Sequence, residues 1–231
     1  MLTLVQFQPA FGLLNASPFC MKVEVYCRLA KIPYRTEVLM NPAKAPKGKL
    51  PFVRHENMEL GDSEFILDYL QQRFSVTLDE GLSDRDKALA RTVRIMCEEH
   101  LYWALLYNHW QDEQVWPLVR EVFFAAVPFP LKKLVGTVSR NSVIKQLYAA
   151  GMGRHTQSEV YATAVADIDA LAALLGDNDF VLGANVTRVD ASVYASLANL
   201  AVPPLPSPMK EAIQRHANLT AYLQRMQALI E

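Results

Sequence analysis

The most informative part of the chain runs from residue 47 to residue 66. It contains the stretches Lys47-Gly48-Lys49-Leu50-Pro51-Phe52-Val53 and Leu60-Gly61-Asp62-Ser63-Glu64-Phe65-Ile66. The pattern predicts an extended segment entered through a proline, a tight turn, a second short strand, and an amphipathic helix that begins at Asp62-Ser63. Because proline cannot donate to a strand ladder, Pro51 needs a special reason to stand there. A cis Leu50-Pro51 bond would supply that reason, since cis peptides are almost confined to X-Pro bonds.

A binding site is predicted where these two stretches meet. A helix that begins at Asp62-Ser63 leaves several backbone N–H groups free, and its dipole favours an anion at that end. The bent backbone before Pro51 can pair with the main chain of a ligand. Together these features predict a site for a small peptide that carries carboxylates.

Composition narrows the class of protein. A chain of 231 residues with 51% hydrophobic and 20% charged residues fits a globular protein of one large domain or two small ones. A net charge of −1 gives no attraction to nucleic acid or to an anionic membrane. The cysteines Cys20, Cys27 and Cys97 form no CxxC pair and no metal-binding spacing, so we expect no disulfide framework, no metal and a reducing compartment. No apolar run is long enough to span a bilayer, and the first residues lack a signal peptide, so we expect a cytoplasmic protein.

The first domain is predicted over residues 1–76. Strand signals cover 2–7, 34–39 and 50–60, the last as a hairpin, and helix signals cover 19–30 and 62–74. Ser17-Pro18 is a good start for the first of these helices, because serine caps and proline fits the first turn. The second helix is expected to bury Phe65, Ile66, Tyr69 and Leu70. The order βαβ followed by ββα predicts a small thioredoxin-like unit with a right-handed crossover.

The second domain is predicted over residues 83–231, after a linker at 75–82, and it is all-helical. We expect a long helix over 84–110, further helices over 111–126 and 131–149, and one or two closing helices over 209–230. Capping boxes at Thr156–Glu159 and Thr187–Asp190 open helices that reach about residues 175 and 200. The predicted fold class is therefore an α/β unit followed by an all-α domain.

This organisation resembles that of the cytosolic glutathione transferases over nearly the whole chain. The marks are Ser17–Val23, Gly48–Pro51, Asp62-Ser63, Phe180–Gly183 and Thr187–Asp190. More narrowly, residues 46–67 and the Gly151-Met152-Gly153-Arg154-His155 stretch resemble the failed-axon-connections and metaxin branch of that superfamily.

The resemblance implies a role for each site residue. Ser17 would be the catalytic group that faces the sulfur of glutathione, where a hydroxyl and a helix dipole both favour a thiolate. The backbone of Leu50, before Pro51, would pair with the cysteinyl part of the peptide. Asp62 and Ser63 would hold its γ-glutamyl end. Glutathione would then be the cosubstrate, a small electrophile the partner, and a homodimer the assembly.

The chain departs from the usual transferase between the second strand and the Lys47-Gly48-Lys49 run. Residues 40–46 are too few for the second helix that helps other members to hold the glycine end of glutathione. Lys44, Lys47 or Lys49 would have to hold that end, or glutathione binds weakly.

Several residues admit a second interpretation. Ser17 could be only a helix cap, and Cys20 could be either a buried apolar residue or the thiol of a glutathione-dependent reductase. The stripe His100, Trp103, Tyr107 and Trp110 recurs at helical spacing and is typical of a core, although Trp103 and Tyr107, with Phe11, could line a pocket for the electrophile.

Three further features are interpreted as structural. Glu98 and Glu99 point about 100° apart on a helix, so they are expected on a solvated face. Arg154-His155 is expected in a loop that holds a helix start, and Asp190 is expected to satisfy buried donors.

Two functions of different classes remain open at this point. One is a transferase that uses the thiolate of glutathione, which the retention of Ser17, Pro51, Asp62 and Ser63 favours. The other is a non-catalytic binding or assembly module of the same fold, which the short 40–46 segment favours.

Overall fold

The computed structural model describes residues 1–231 and contains one four-stranded sheet. Its strands are β1 (Leu2–Gln6), β2 (Tyr34–Val38), β3 (Phe52–His55) and β4 (Met58–Gly61), in the spatial order β2-β1-β3-β4. Strand β1 is parallel to β2 and antiparallel to β3, and β3 pairs with β4 as an antiparallel hairpin. The predicted α/β unit is confirmed, with the helix of the β1–β2 crossover supplying the parallel connection.

Two helices complete this unit, α1 (Pro18–Leu29) and α2 (Ser63–Arg73). Helix α1 packs between the sheet and the helical half, so it is buried along most of its length. In α2 the buried positions are Ser63, Ile66, Leu67 and Leu70. The expectation that Phe65 is buried was wrong, because it lies off this stripe; its ring is 54% exposed and lies 4.5 Å from the ammonium of Lys47.

The helical half begins with one long continuous helix over residues 84–111. It comprises α3 (Asp84–Ile95) and α4 (Tyr102–Leu106), with π-helical turns at Met96–Leu101 and Tyr107–Gln111. The remaining helices are α5 (Trp116–Phe123), α6 (Leu131–Ala150), α7 (Gln157–Leu175), α8 (Arg188–Ala201), α9 (Pro208–Arg215) and α10 (Ala217–Ile230).

One helix is shorter than the sequence suggested, and the closing segment forms two helices, one of the two arrangements expected. Helix α5 starts five residues later than expected, because Asp112 adopts an extended backbone and its carboxylate accepts from the Gln114 N–H in a turn. The closing segment divides into α9 and α10 at His216, whose ψ of 102° interrupts the helix.

Residues 75–82 contain neither helix nor strand, and the domain boundary at that point stays a prediction. None of the helices is both long and apolar enough to cross a membrane.

The core of the helical half centres on α8, which is buried from Val189 to Leu200. Asp190 anchors its start. One carboxylate oxygen accepts from the N–H and the hydroxyl of Thr187, both at 2.8 Å, and the other accepts from the Val181 N–H at 3.0 Å and the Tyr222 hydroxyl at 3.1 Å. The carboxylate therefore joins the loop before α8 to α10, as its structural interpretation predicted.

We expect Asp190→Ala to lower the free energy of unfolding by about 3 kcal/mol or more, because it leaves several buried donors without an acceptor. Urea denaturation would measure the change. Asp169→Ala is the matched control, since that carboxylate is half exposed and pairs only with His216; its effect should stay below about 1 kcal/mol. Equal losses in the two variants would contradict the anchoring role.

Candidate functional site

Four strand ends of the α/β unit lie at the same edge of the sheet. Val5, near the end of β1, pairs with Phe52 at the start of β3, and Phe52 pairs with Gly61 at the end of β4. The end of β2 lies beside the end of β1. The loop that leads to Ser17, the 39–51 connection and the start of α2 therefore meet at one place. This arrangement brings together the predicted site segments around Ser17, Leu50-Pro51 and Asp62-Ser63.

The Leu50-Pro51 peptide is cis, as the sequence predicted. The Leu50 side chain is buried in a small apolar cluster with Val5, Cys20 and Phe52. The backbone immediately before β3 is thereby held against the first turn of α1.

Ser17 caps α1. Its Oγ accepts from the Cys20 N–H at 3.5 Å, and its own N–H donates to the side chain of Asn15 at 3.0 Å. Asn15 in turn donates to the Phe7 carbonyl at 2.6 Å, which fixes the loop after β1. The cap uses only a lone pair of the Ser17 hydroxyl, so its hydrogen stays available to a ligand. The capping and catalytic interpretations are thus compatible.

The two polar side chains at the start of α2, Asp62 and Ser63, have different roles. The Asp62 carboxylate accepts from the N–H groups of Glu64 at 3.0 Å and Phe65 at 3.4 Å, and so caps the helix. Ser63 is not used in that cap. Its hydroxyl is buried and accepts from the ammonium of Lys22 at 3.4 Å.

Lys22 was not singled out from the sequence, yet it lies at the centre of the site's electrostatics. It is 1% exposed, and its ammonium contacts Glu64 Oε2 and Glu98 Oε1, each at 2.6 Å. Arg94 pairs with Glu98 at 2.8 Å, and Arg188 pairs with Glu64 at 2.7 Å. We call these five residues, with Ser192, the Lys22 cluster. The available signal was a lysine inside the apolar run of α1.

The Lys22 cluster spans both halves of the protein. Lys22 and Glu64 come from the α/β unit, whereas Glu98 and Arg188 come from the helical half. Burial tends to raise the pKa of Glu64, but the charges of Lys22 and Arg188 outweigh it and lower that pKa below its ordinary value. The carboxylate therefore stays ionised at neutral pH.

The expectation that Glu98 is solvated was wrong. Glu98 is buried, and besides its two cationic partners it accepts from the Ser192 hydroxyl at 2.9 Å. It lies in the π-helical turn Met96–Leu101, which packs against α8 and meets Lys22 of α1. Arg94, one turn earlier on the same helix, and Lys22 from α1 compensate the buried charge, and a helical wheel of the sequence does not show Lys22.

The connection between β2 and β3 contains only a 3-10 turn at Pro42–Lys44, which confirms the shortened region. Lys44, Lys47 and Lys49 are all exposed there. Lys47 lies over the Phe65 ring near the start of α2, whereas Lys44 and Lys49 make no ion pair. Three lysines are thus available at the site edge.

The aromatic residues named from the sequence do not form one cluster. Phe11 packs against Phe123 and His109, with ring centroids 5.6 Å and 6.2 Å away. Tyr107 is buried against Tyr161, and Trp103 lines a separate groove of about 530 Å³.

The side chain of the long helix that meets the site is Tyr102, which sequence reasoning missed. Its ring packs edge-on against Phe19 at 4.8 Å, two residues beyond Ser17. Trp103, the next residue along the helix, lines the separate groove instead.

The Gly151–His155 stretch behaves as the structural loop that was expected. Gly151 ends α6 with a positive φ of 97°, and Arg154 Nε donates to the Tyr148 carbonyl at 3.0 Å. His155 lies at the surface just before α7.

Two family profiles match the chain. The profile described as the glutathione S-transferase N-terminal domain covers residues 18–115, and that of the glutathione S-transferase C-terminal domain covers residues 164–226. The chain is 33% identical over 232 residues to an isoprene-epoxide–glutathione S-transferase of Rhodococcus sp., covering 98% of each chain.

The names of two more distant relatives do not mention a transferase. Failed axon connections of Drosophila melanogaster is 26% identical over 85% of this chain, which spans about half (49%) of that protein. Human metaxin-2 is 22% identical, covering 93% of this chain and 82% of metaxin-2.

Solved structures share the fold. A beta-etherase of Sphingobium sp. has a TM-score of 0.64 at 18% identity, covering 98% of this chain and 95% of that one. A glutathione S-transferase of Methylobacterium radiotolerans, in complex with glutathione sulfonate, has a TM-score of 0.61 at 18% identity, covering 98% and 90%.

The three cysteines should be unreactive in the native protein. Cys20, Cys27 and Cys97 are all fully buried, and burial raises the pKa of each thiol to about 12. Because the thiolate is the nucleophile, we expect no carboxamidomethylation by iodoacetamide at pH 8, and three modified thiols in urea, counted by mass spectrometry. Rapid native labelling of Cys20 would revive the reductase interpretation.

His109 should make the protein acid-sensitive. Burial lowers the pKa of its imidazole to about 4, whereas the unfolded chain takes up this proton near pH 6.5. Between these values the unfolded state binds more protons, so stability falls as pH falls, by about 3 kcal/mol in total. His109→Phe should remove that part of the pH dependence in urea titrations. An unchanged slope would show that His109 takes up its proton equally in both states.

Proposed function

The chain belongs to the glutathione S-transferase superfamily, and from this premise we propose that it is a transferase that joins the thiolate of glutathione to a small electrophile. The observation that carries the proposal is the meeting of Ser17, Leu50-Pro51 and Asp62-Ser63 at one sheet edge. A full-length relative at 33% identity that is named as a glutathione transferase supports it.

Glutathione would lie along this edge. The backbone of Leu50 would pair with the cysteinyl residue, and Ser63 would donate to the carboxylate of the γ-glutamyl end. Asp62 would attract the ammonium of that end with the part of its carboxylate that the cap leaves free. Lys44 or Lys49 would hold the glycine carboxylate, because both ammonium groups are exposed and make no ion pair, and only a 3-10 turn lies between β2 and β3.

Ser17 would serve the chemical step. Its free hydroxyl hydrogen would donate to the sulfur, and the positive end of α1 would favour the thiolate over the thiol. With an epoxide, the class named for the Rhodococcus relative, the sulfur lone pair forms a C–S bond while the C–O bond breaks. The oxygen then takes a proton from water, and a hydroxyalkyl thioether is released.

A non-catalytic binding module is the second candidate. Two observations favour it: the 3-10 turn that replaces a helix before β3, and the likeness to failed axon connections and metaxin-2. A binding module would bind glutathione weakly and would not catalyse its transfer.

Homodimer formation and a cytoplasmic location are part of the proposal and stay predictions. Three unpaired, buried cysteines are compatible with a reducing compartment. Light scattering of the purified protein would test the dimer.

Calorimetric titration with reduced glutathione tests the site. We expect binding in the micromolar to low millimolar range, weakened about tenfold by Ser63→Ala because the carboxylate loses a donor. Ser142→Ala, on the exposed face of α6, is the matched control and should bind normally. No binding at several millimolar would remove the proposed site.

Turnover separates the two candidates. With isoprene epoxide and glutathione, the transferase should consume thiol faster than the uncatalysed reaction, and Ser17→Ala should slow it without loss of fold. Binding without turnover across a panel of small epoxides would favour the binding module.

A further inference from the structure

The ammonium of Lys22 has three hydrogens and three acceptors. They are Glu64 Oε2 at 2.6 Å, Glu98 Oε1 at 2.6 Å and Ser63 Oγ at 3.4 Å. A lysine ammonium has no lone pair, so in each contact it must be the donor. The direction of the hydrogen bond to Ser63 is therefore fixed.

This direction determines what the Ser63 hydroxyl can do. A serine hydroxyl has one hydrogen to donate and two lone pairs. Since one lone pair receives the ammonium, the hydrogen must point away from Lys22, and the chain supplies no acceptor for it. Ser63 lies at the first turn of α2, where the helix dipole also favours an anion.

We infer that Lys22 is a positioning residue, which orients and polarises the Ser63 hydroxyl so that it donates to the γ-glutamyl carboxylate of glutathione. The inference rests on the proposed function. A hydroxyl that accepts from a cation is a stronger donor, because hydrogen bonds in a chain polarise one another. Lys22 thus acts on the ligand without touching it.

The helical half holds Lys22 in this position. Glu98 from the long helix fixes one ammonium hydrogen, and Ser192 from α8 fixes Glu98. Glu64, held by Arg188 at 2.7 Å, fixes a second hydrogen. The orientation of a glutathione-binding hydroxyl on the α/β unit consequently depends on how the two halves pack.

The experiment compares two peptides on purified full-length protein. One is glutathione, and the other is the same tripeptide with the γ-glutamyl α-carboxylate replaced by hydrogen. Calorimetry gives the ratio of their dissociation constants, which reports the carboxylate contact alone. In Lys22→Met we expect this ratio to fall about tenfold towards one, with little change for the decarboxylated peptide.

Arg94→Met is the matched control. It removes another cation of the Lys22 cluster, paired with Glu98 and Glu64, but it does not touch Ser63. A general loosening of the cluster would lower the ratio in both variants, whereas the proposed role lowers it only in Lys22→Met. If Lys22→Met fails to fold, the double variant Lys22→Met/Glu98→Gln is used in its place. The second substitution removes the buried carboxylate charge that would otherwise lose its lysine partner.

Each outcome is decisive. A ratio that falls in the Lys22 variants and persists in Arg94→Met supports the inference. A ratio unchanged in a folded Lys22 variant, or lowered equally by Arg94→Met, overturns it while the glutathione site stands. Wild-type protein that binds neither peptide overturns both this inference and the proposed function.

Discussion

A buried lysine ammonium is the constraint on which the rest of this structure depends. Taking such a charge out of water costs several kcal/mol, and only close carboxylates can offset that cost. Lys22 finds one in each half of the protein, Glu64 on α2 and Glu98 on the long helix. The requirement that both be present fixes how α1, α2 and the helical half pack. The same contacts bring positive charge to Ser63, so the packing of the core and the chemistry of the edge are linked.

The site edge shows how capping groups can serve two purposes. Ser17 and Asp62 each satisfy backbone donors at a helix start, which a folded chain requires in any case. Capping leaves part of the hydrogen-bonding capacity of each side chain unused, because the hydroxyl keeps its hydrogen and the carboxylate keeps further lone pairs. A glutathione transferase can therefore be built from ordinary helix starts that a sheet gathers at one edge.

Local sequence signals located most of the helices and strands, but they assigned some side chains to the wrong face of a helix. The turn, proline and capping signals between residues 17 and 66 predicted the strands and helices of the α/β unit, because they depend on neighbours in the chain. Phe65 was assigned to the wrong face of α2, and Glu98 was assigned to solvent. Tyr102, and not Trp103, packs against Phe19 beside the site, and this contact depends on how the long helix lies against α1.

The sequence by itself determined the α/β unit followed by helices, the cis Leu50-Pro51 bend and the absence of a helix before β3. Each of these is encoded by residue types at short spacing. Only the tertiary structure decided that Lys22 is buried behind Ser63, and that Glu98 and Arg188 reach across from the helical half. Those contacts join residues up to 124 positions apart, as between Glu64 and Arg188, and a buried charge reveals its partners only once the chain has brought them together.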